Sequence, residues 1–193
     1  MKKHSPEGAV FLDRDGVINV DRRDYVKSWV EFKFLPQVFE ALRILNKNKL
    51  RVIVVTNQSA VNRGLMSIDT LKEIHRKMLA QVEKHSGRIE AIYYCPHTPS
   101  EGCECRKPKP GMVLRAVKEH AINLARSYVV GDSERDVELA RSLEIKCVRV
   151  MEKSPATSSL KNRDWTAKHP IVGKSLREAA DYILHDLKTS AHS

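Results

Sequence analysis

Short apolar runs alternate with stretches of helical periodicity along the chain. Ala9-Val10-Phe11-Leu12 is apolar at every position and stops at Asp13. Continuous rather than alternating hydrophobicity marks a strand buried on both faces. Val52-Ile53-Val54-Val55, Ala91-Ile92-Tyr93-Tyr94 and Tyr128-Val129-Val130 repeat the pattern, and Cys147-Val148-Arg149-Val150 is a fifth strand candidate. Between these runs, apolar residues recur at helical spacing. Val38, Leu42 and Leu45 follow Pro36, and a long helix is predicted over about 68–84, with Asp69 as candidate N-cap. Val113, Val117 and Ala121 follow Pro110; Val137, Ala140 and Leu143 mark the next helix; Leu176, Ala180, Ile183 and Leu187 form the seam of a last one. Residues 153–170, rich in Ser, Thr, Lys and Pro, predict a surface loop. No internal repeat is visible.

Strands alternating with helices predict an α/β fold: a three-layer, Rossmann-like, mostly parallel sheet with helices on both faces. The expected organisation is one domain over 1–193, with its core over about 9–150 and a loop and helix over 151–193. Sheets of this class bind ligands at the carboxyl ends of their strands. Asp13, Asp15, Thr56 and Asp132 all follow apolar runs, so three distant segments are expected on one rim.

Composition narrows the partners. The chain has 193 residues, room for one compact core and little more. No apolar run approaches the ~20 residues that span a bilayer. The polar start and the short run ending at Asp13 do not make a secretory signal, so the cytoplasm is the expected compartment. Lys and Arg number 34 against 24 Asp and Glu, a formal charge of +10. That excess favours anionic partners, and its dispersal argues against a basic tail gripping nucleic acid. Four cysteines in such a chain do not suggest a disulfide framework.

Three of the four cluster. Cys95-Pro96-His97 and Cys103-Glu104-Cys105 give C-x-H-x₅-C-x-C. Three thiolates and an imidazole suit tetrahedral Zn²⁺, and the tight spacing suggests a structural staple with a closed ligand set. Arg106 and Lys107 follow the last ligand, so an ordered loop would fix them in place. Cys147, on an apolar strand, reads as a core residue.

The remaining motifs are weaker one by one. Asp13-Arg14-Asp15-Gly16 offers two carboxylates on one side of an extended chain, and reads equally well as a strand end with a turn. Gly131-Asp132-Ser133-Glu134-Arg135-Asp136 places two acids one helical turn apart, able to join Asp13 around Mg²⁺ or simply to cap a helix. Thr56-Asn57-Gln58-Ser59 offers hydroxyl and amide groups for phosphate oxygens, or an ordinary polar loop. Arg106, Lys107 and Lys109 could neutralise a phosphoryl group, or lie on the surface.

Their joint order, Asp-x-Asp-Gly, strand-Thr, Lys, strand-Gly-Asp-x-x-x-Asp, resembles the haloacid-dehalogenase-type phosphatase superfamily over about residues 9–150. The resemblance implies a phosphatase with Asp13 as nucleophile, forming an aspartyl-phosphate, and Asp15 as general acid and base. It implies that Thr56 and Lys107 bind phosphoryl oxygens. Mg²⁺ would be held by Asp13, the backbone carbonyl of Asp15, and Asp132, with Asp136 in support. Asn57, Gln58 and Ser59 become substrate contacts.

Two branches carry such a zinc loop, the histidinol-phosphate phosphatases and the D-glycero-D-manno-heptose 1,7-bisphosphate 7-phosphatases. Residues 54–64, with T-N-Q-S and a following Arg63-Gly64, look like the heptose branch, as do Leu12-Asp13-Arg14-Asp15-Gly16-Val17-Ile18-Asn19 and the Pro110-Gly111-Met112 that closes residues 105–112. Ala60 departs from that branch's usual Gly. The resemblance implies removal of the C7 phosphate from a heptose 1,7-bisphosphate, in nucleotide-activated heptose synthesis for lipopolysaccharide or surface-layer glycan. Arg106 and Arg63 are candidates for the distal phosphate, because Arg binds phosphate in bidentate fashion. The short distance from Gly16 to Phe34 implies a capless enzyme, with Asp24, Tyr25, Val26 and Trp29 as a candidate small flap or as ordinary loop packing. The partner that the resemblance implies is a small sugar bisphosphate; no nucleic acid or membrane partner is expected, and a monomer is the expected state. The rivals are a histidinol-phosphate phosphatase, a nucleic-acid 3′-phosphatase and a zinc-stapled binding module without catalysis. A binding module would not need Asp13, Asp15, Thr56 and Asp132 together.

Overall fold

The computed structural model describes residues 7–151 and 170–190. Its elements follow in the order β1 (Ala9–Leu12), α1 (Val38–Lys47), β2 (Arg51–Asn57), α2 (Ile68–Lys84), β3 (Ala91–Cys95), α3 (Gly111–His120), β4 (Tyr128–Gly131), α4 (Glu134–Ser142), β5 (Lys146–Val150), β6 (Ile171–Gly173) and α5 (Leu176–Ser190). The strands form one six-stranded sheet in the order β3-β2-β1-β4-β5-β6. Every pairing is parallel.

The period of two along each strand divides the core. Val10, Leu12, Val52, Val54, Val130 and Val148 face one way, against α1, α2 and α5. Phe11, Ile53, Val55, Val129 and Cys147 face the other, against α3 and α4. All four residues of β1 are fully buried, as the unbroken apolar run requires. Cys147 is a buried core residue, as expected.

Some expectations change in detail. The N-cap of α2 is Ser67, whose hydroxyl accepts from the Thr70 N–H at 3.0 Å. Asp69 lies inside the first turn, where its charge favours the helix dipole instead. Ala121 does not extend the buried face of α3: it is exposed and ends the helix at φ 49°, and Met112, Val113 and Ala116 pack inward. The short strand β6 is additional. Of the loop expected over 153–170, only Pro170 lies within the described residues. No described helix is long and apolar enough to cross a membrane.

Candidate active site

Chain order reverses between β1 and β4, the switch point where such sheets open a crevice at their carboxyl ends. Asp13 follows β1 there and Asp132 follows β4. The Asp13 N–H donates to the Val130 carbonyl at 2.9 Å, fastening the two strand ends together. Gly16 makes their contact possible. Its φ is +76°, and a Cβ there would lie 2.0 Å from Asp132 Oδ2.

Lys107 is the hub. It is buried, and its Nζ donates to Asp13 Oδ2 at 2.8 Å and to Asp136 Oδ1 at 2.6 Å. The other oxygen of Asp136 accepts from the Ser133 hydroxyl at 2.6 Å and the Ser133 N–H at 3.2 Å, closing a capping box at the start of α4. Gly131 lets this turn pack closely, since a Cβ there would meet Asp136 Cβ at 2.2 Å. The capping alternative for this motif is therefore true of Ser133 and Asp136, and Asp136 still faces the site. Carboxylate oxygens of Asp13, Asp132 and Asp136 lie within 4.8 Å of one another. Three carboxylates against one ammonium leave room for a divalent cation in charge terms.

The electrostatics agree. Burial pushes the Asp13 carboxyl up to about 7, with Asp136 and Asp15 adding to the rise and Lys107 opposing it. Burial, then Asp136 and Asp21, push Asp132 up to about 6. Burial would lower Lys107, but Asp13 and Asp136 outweigh it and hold the ammonium above its ordinary range. Asp15 goes the other way. Burial opposes its charge, yet Arg14, Asn19 and Gln58 together hold it below the usual carboxylate range.

Asp15 sits in a ring of donors. Arg14 Nη2 reaches Oδ1 at 2.9 Å and Oδ2 at 3.0 Å, Asn19 Nδ2 reaches Oδ1 at 2.8 Å, and Gln58 Nε2 reaches Oδ2 at 2.7 Å. Gln58 Nε2 also donates to Thr56 Oγ1 at 2.9 Å. Thr56, Gln58 and Ser59 are buried. Asn57 turns to the Lys107 backbone, donating to its carbonyl at 3.1 Å and accepting from its N–H at 3.0 Å. Its amide thus clamps the lysine loop to the end of β2. Ala60 is buried and does not have a positive φ, so its methyl group brings no backbone strain. Arg63 is exposed, and Arg106 Nη1 donates to the His97 carbonyl at 3.0 Å.

Arg14, Asn19 and His75 escaped the sequence reading. A cation between two acids was the available signal for Arg14. His75 carried none, because it occupies an ordinary inward position of α2.

The cysteine cluster assembles between β3 and α3. Cys95 Sγ lies 3.5 Å from His97 Nδ1 and 3.5 Å from Cys103 Sγ. Cys105 Sγ lies 3.2 Å from Cys95 Sγ, 3.5 Å from Cys103 Sγ and 3.3 Å from His97 Nδ1. A tetrahedral Cys₃His site with metal–sulfur bonds of ~2.3 Å has edges of about 3.5–3.8 Å. The donor set fits a closed metal site.

A cavity of about 620 Å³ opens beside Asp132, lined by it and by Gly16, Val20, Asp21, Lys174 and Leu176 among others. The expected flap residues belong to the loop after Gly16. Val26 is buried, and Trp29 stacks on Phe32 at 5.1 Å, which anchors that loop on the core.

The haloacid dehalogenase-like hydrolase family model matches residues 5–143, and a HAD-hydrolase-like model matches residues 104–189. A D-glycero-beta-D-manno-heptose-1,7-bisphosphate 7-phosphatase of Helicobacter pylori is 35% identical over 176 residues, covering 91% of this chain and 96% of its own. One of Pseudomonas putida is 44% identical over 142 residues, covering 73% of this chain and 81% of its own. The structure of the D,D-heptose 1,7-bisphosphate phosphatase of B. bronchiseptica, complexed with magnesium and phosphate, superposes with a TM-score of 0.81 at 34% identity, covering 93% of this chain and 99% of that one. With Asp13, Lys107, Asp132 and Asp136 converging at the switch point, the chain belongs to the haloacid dehalogenase-like hydrolases, and among them to the D-glycero-beta-D-manno-heptose-1,7-bisphosphate 7-phosphatase family.

Proposed function

We propose that this phosphatase removes the C7 phosphate of D-glycero-β-D-manno-heptose 1,7-bisphosphate. The observation that carries the reading is Lys107 bonded to both Asp13 and Asp136 beside Asp132, in a chain whose relatives bear that activity. An oxygen of Asp13 attacks phosphorus and the bond from phosphorus to the sugar oxygen breaks. Asp15, ionised in the free enzyme, takes up a proton from solvent as the anionic phosphate binds beside it, gives that proton to the sugar oxygen, and the heptose 1-phosphate leaves. A water then attacks the aspartyl-phosphate, giving its proton to Asp15 and freeing Asp13 and phosphate. Lys107 offsets the repulsion between Asp13 and the phosphoryl oxygens. Thr56 accepts from Gln58, which leaves its hydroxyl proton for a phosphoryl oxygen. Asp13, Asp132 and the Asp15 carbonyl, supported by Asp136, would hold Mg²⁺, whose charge further offsets that repulsion. Arg106 and Arg63 are the candidate contacts to the distal phosphate.

Cys95, His97, Cys103 and Cys105 would hold a structural Zn²⁺. Three thiolates kept for a metal suit a reducing compartment such as the cytoplasm. The single sheet of the described residues supports one catalytic domain.

The test is phosphate release with Mg²⁺ from heptose 1,7-bisphosphate, histidinol phosphate and a 3′-phosphorylated oligonucleotide. The bisphosphate is the expected preferred substrate, with turnover lost in Asp13→Asn. Preference for another ester would move the enzyme to that branch, and turnover surviving in Asp13→Asn would refute the nucleophile.

A further inference from the structure

Arg14 is the largest fully buried side chain of the described residues, and its cation needs partners on every side. One edge of the guanidinium lies on Asp15 through Nε and Nη2. One face lies over the Phe32 ring, 5.9 Å from its centroid. The remaining nitrogen, Nη1, lies 3.2 Å from His75 Nε2. An arginine has donors only, so Nε2 must be the acceptor and the ring proton must sit on Nδ1. Burial, with the Arg14 charge adding, pushes His75 down to about 3, which keeps that lone pair free at neutral pH.

We propose that His75 is a positioning residue for proton transfer: through its Nε2 acceptor it fixes Arg14, and Arg14 fixes the Asp15 carboxyl. Helix α2 thus reaches the reacting centre although no α2 residue has a catalytic role. The proposal rests on the reading of Asp15 as proton donor. Without the His75 acceptor, Nη1 is a buried unpaired donor, and the guanidinium must turn to satisfy it. Asp15 would turn with it.

The test exploits the leaving group. A sugar alkoxide needs a proton to depart, and p-nitrophenolate does not. kcat/KM, which reports the steps through departure of the leaving group and not the hydrolysis of the aspartyl-phosphate that both esters share, is compared on heptose 1,7-bisphosphate and p-nitrophenyl phosphate for wild type, Asp15→Asn, His75→Phe and His75→Gln. Asp15→Asn is expected to lose about 10²–10⁴ in kcat/KM on the sugar ester and far less on the aryl ester. His75→Phe is expected to lose about tenfold, again chiefly in kcat/KM on the sugar ester. His75→Gln, whose amide oxygen can accept from Arg14, restores most of it. Equal losses on both esters in His75→Phe, beside a selective loss in Asp15→Asn, would overturn the inference and leave Asp15 its role. No selectivity in Asp15→Asn would overturn that role, and the inference with it. Nitrogen NMR of the wild type is independent of any variant's folding: an Nδ1-protonated His75 ring between about pH 5 and 8 is expected, and an Nε2-protonated one would overturn the proposal.

Discussion

Asp13 and Asp132 tie a residue's environment to stability and, as the proposed Mg²⁺ ligands, to metal affinity. From an ordinary value of 3.8, burial raises the first to about 7 and the second to about 6. Between about pH 4 and 6 each therefore keeps, in the metal-free protein, a proton that the unfolded chain has already released. Their contribution to stability consequently falls as pH rises from about 4 towards 7, and is level above that. A divalent cation replaces those protons, so binding must release them. The expected result is a Mg²⁺ dissociation constant that is flat above about pH 7. It should rise about tenfold per unit below that, and more steeply once Asp132 also takes its proton. Calorimetric titration in two buffers of different ionisation enthalpy counts the protons directly. A dissociation constant independent of pH from about 5 to 7 would refute the assignment of these two carboxylates to the metal.

At the scale of elements, the segment between β3 and α3 joins two chemistries. Cys95 ends β3, Cys105 is followed at once by Arg106 and Lys107, and Asn57 at the end of β2 clamps the Lys107 backbone. With Zn²⁺ proposed at the four ligands, stripping it with a chelator should loosen Lys107 while leaving the parallel sheet intact. Activity is expected to fall at least tenfold with far-UV circular dichroism nearly unchanged, and cleavage by protease should appear within residues 96–110. Full turnover with the thiol site emptied would sever that link. The sequence was most legible where one physical demand dominates. Four strands announce themselves as unbroken apolar runs, and β5 as one interrupted by Arg149. The Cys/His spacing announces a cluster because few other uses need it. Asp13 and Asp132 stand out by following strands, and Thr56 by closing the apolar run inside β2. What stayed hidden depends on packing in three dimensions. The N-cap of α2 fell to Ser67 because a helix start is set by backbone geometry rather than by the nearest acid. Strand β6, only three residues long, gains its identity from its neighbour β5. Arg14 and His75 have the composition of a charged turn and an amphipathic helix, and only burial reveals that they meet.

At the scale of the whole molecule, the +10 charge has to be reconciled with an active site built largely of acids. The carboxylates are local and partly neutralised by Lys107, whereas the excess of cations is spread over the chain. At distances beyond a few ångströms an approaching ligand meets the net positive field, and only at contact does it meet Asp13. A sugar bisphosphate carries about twice the charge of a simple monoester, so its encounter rate responds about twice as strongly to that field. Salt removes the long-range part first, because the Debye length shrinks from about 20 Å at 20 mM to about 7 Å at 200 mM. The expected outcome is a several-fold fall in kcat/KM for heptose 1,7-bisphosphate over about that range of ionic strength, with kcat nearly constant. p-Nitrophenyl phosphate should show a logarithmic slope about half as steep. Parallel slopes for the two esters would mean that the dispersed cations do not steer the substrate, and that its second phosphate is read only by contact.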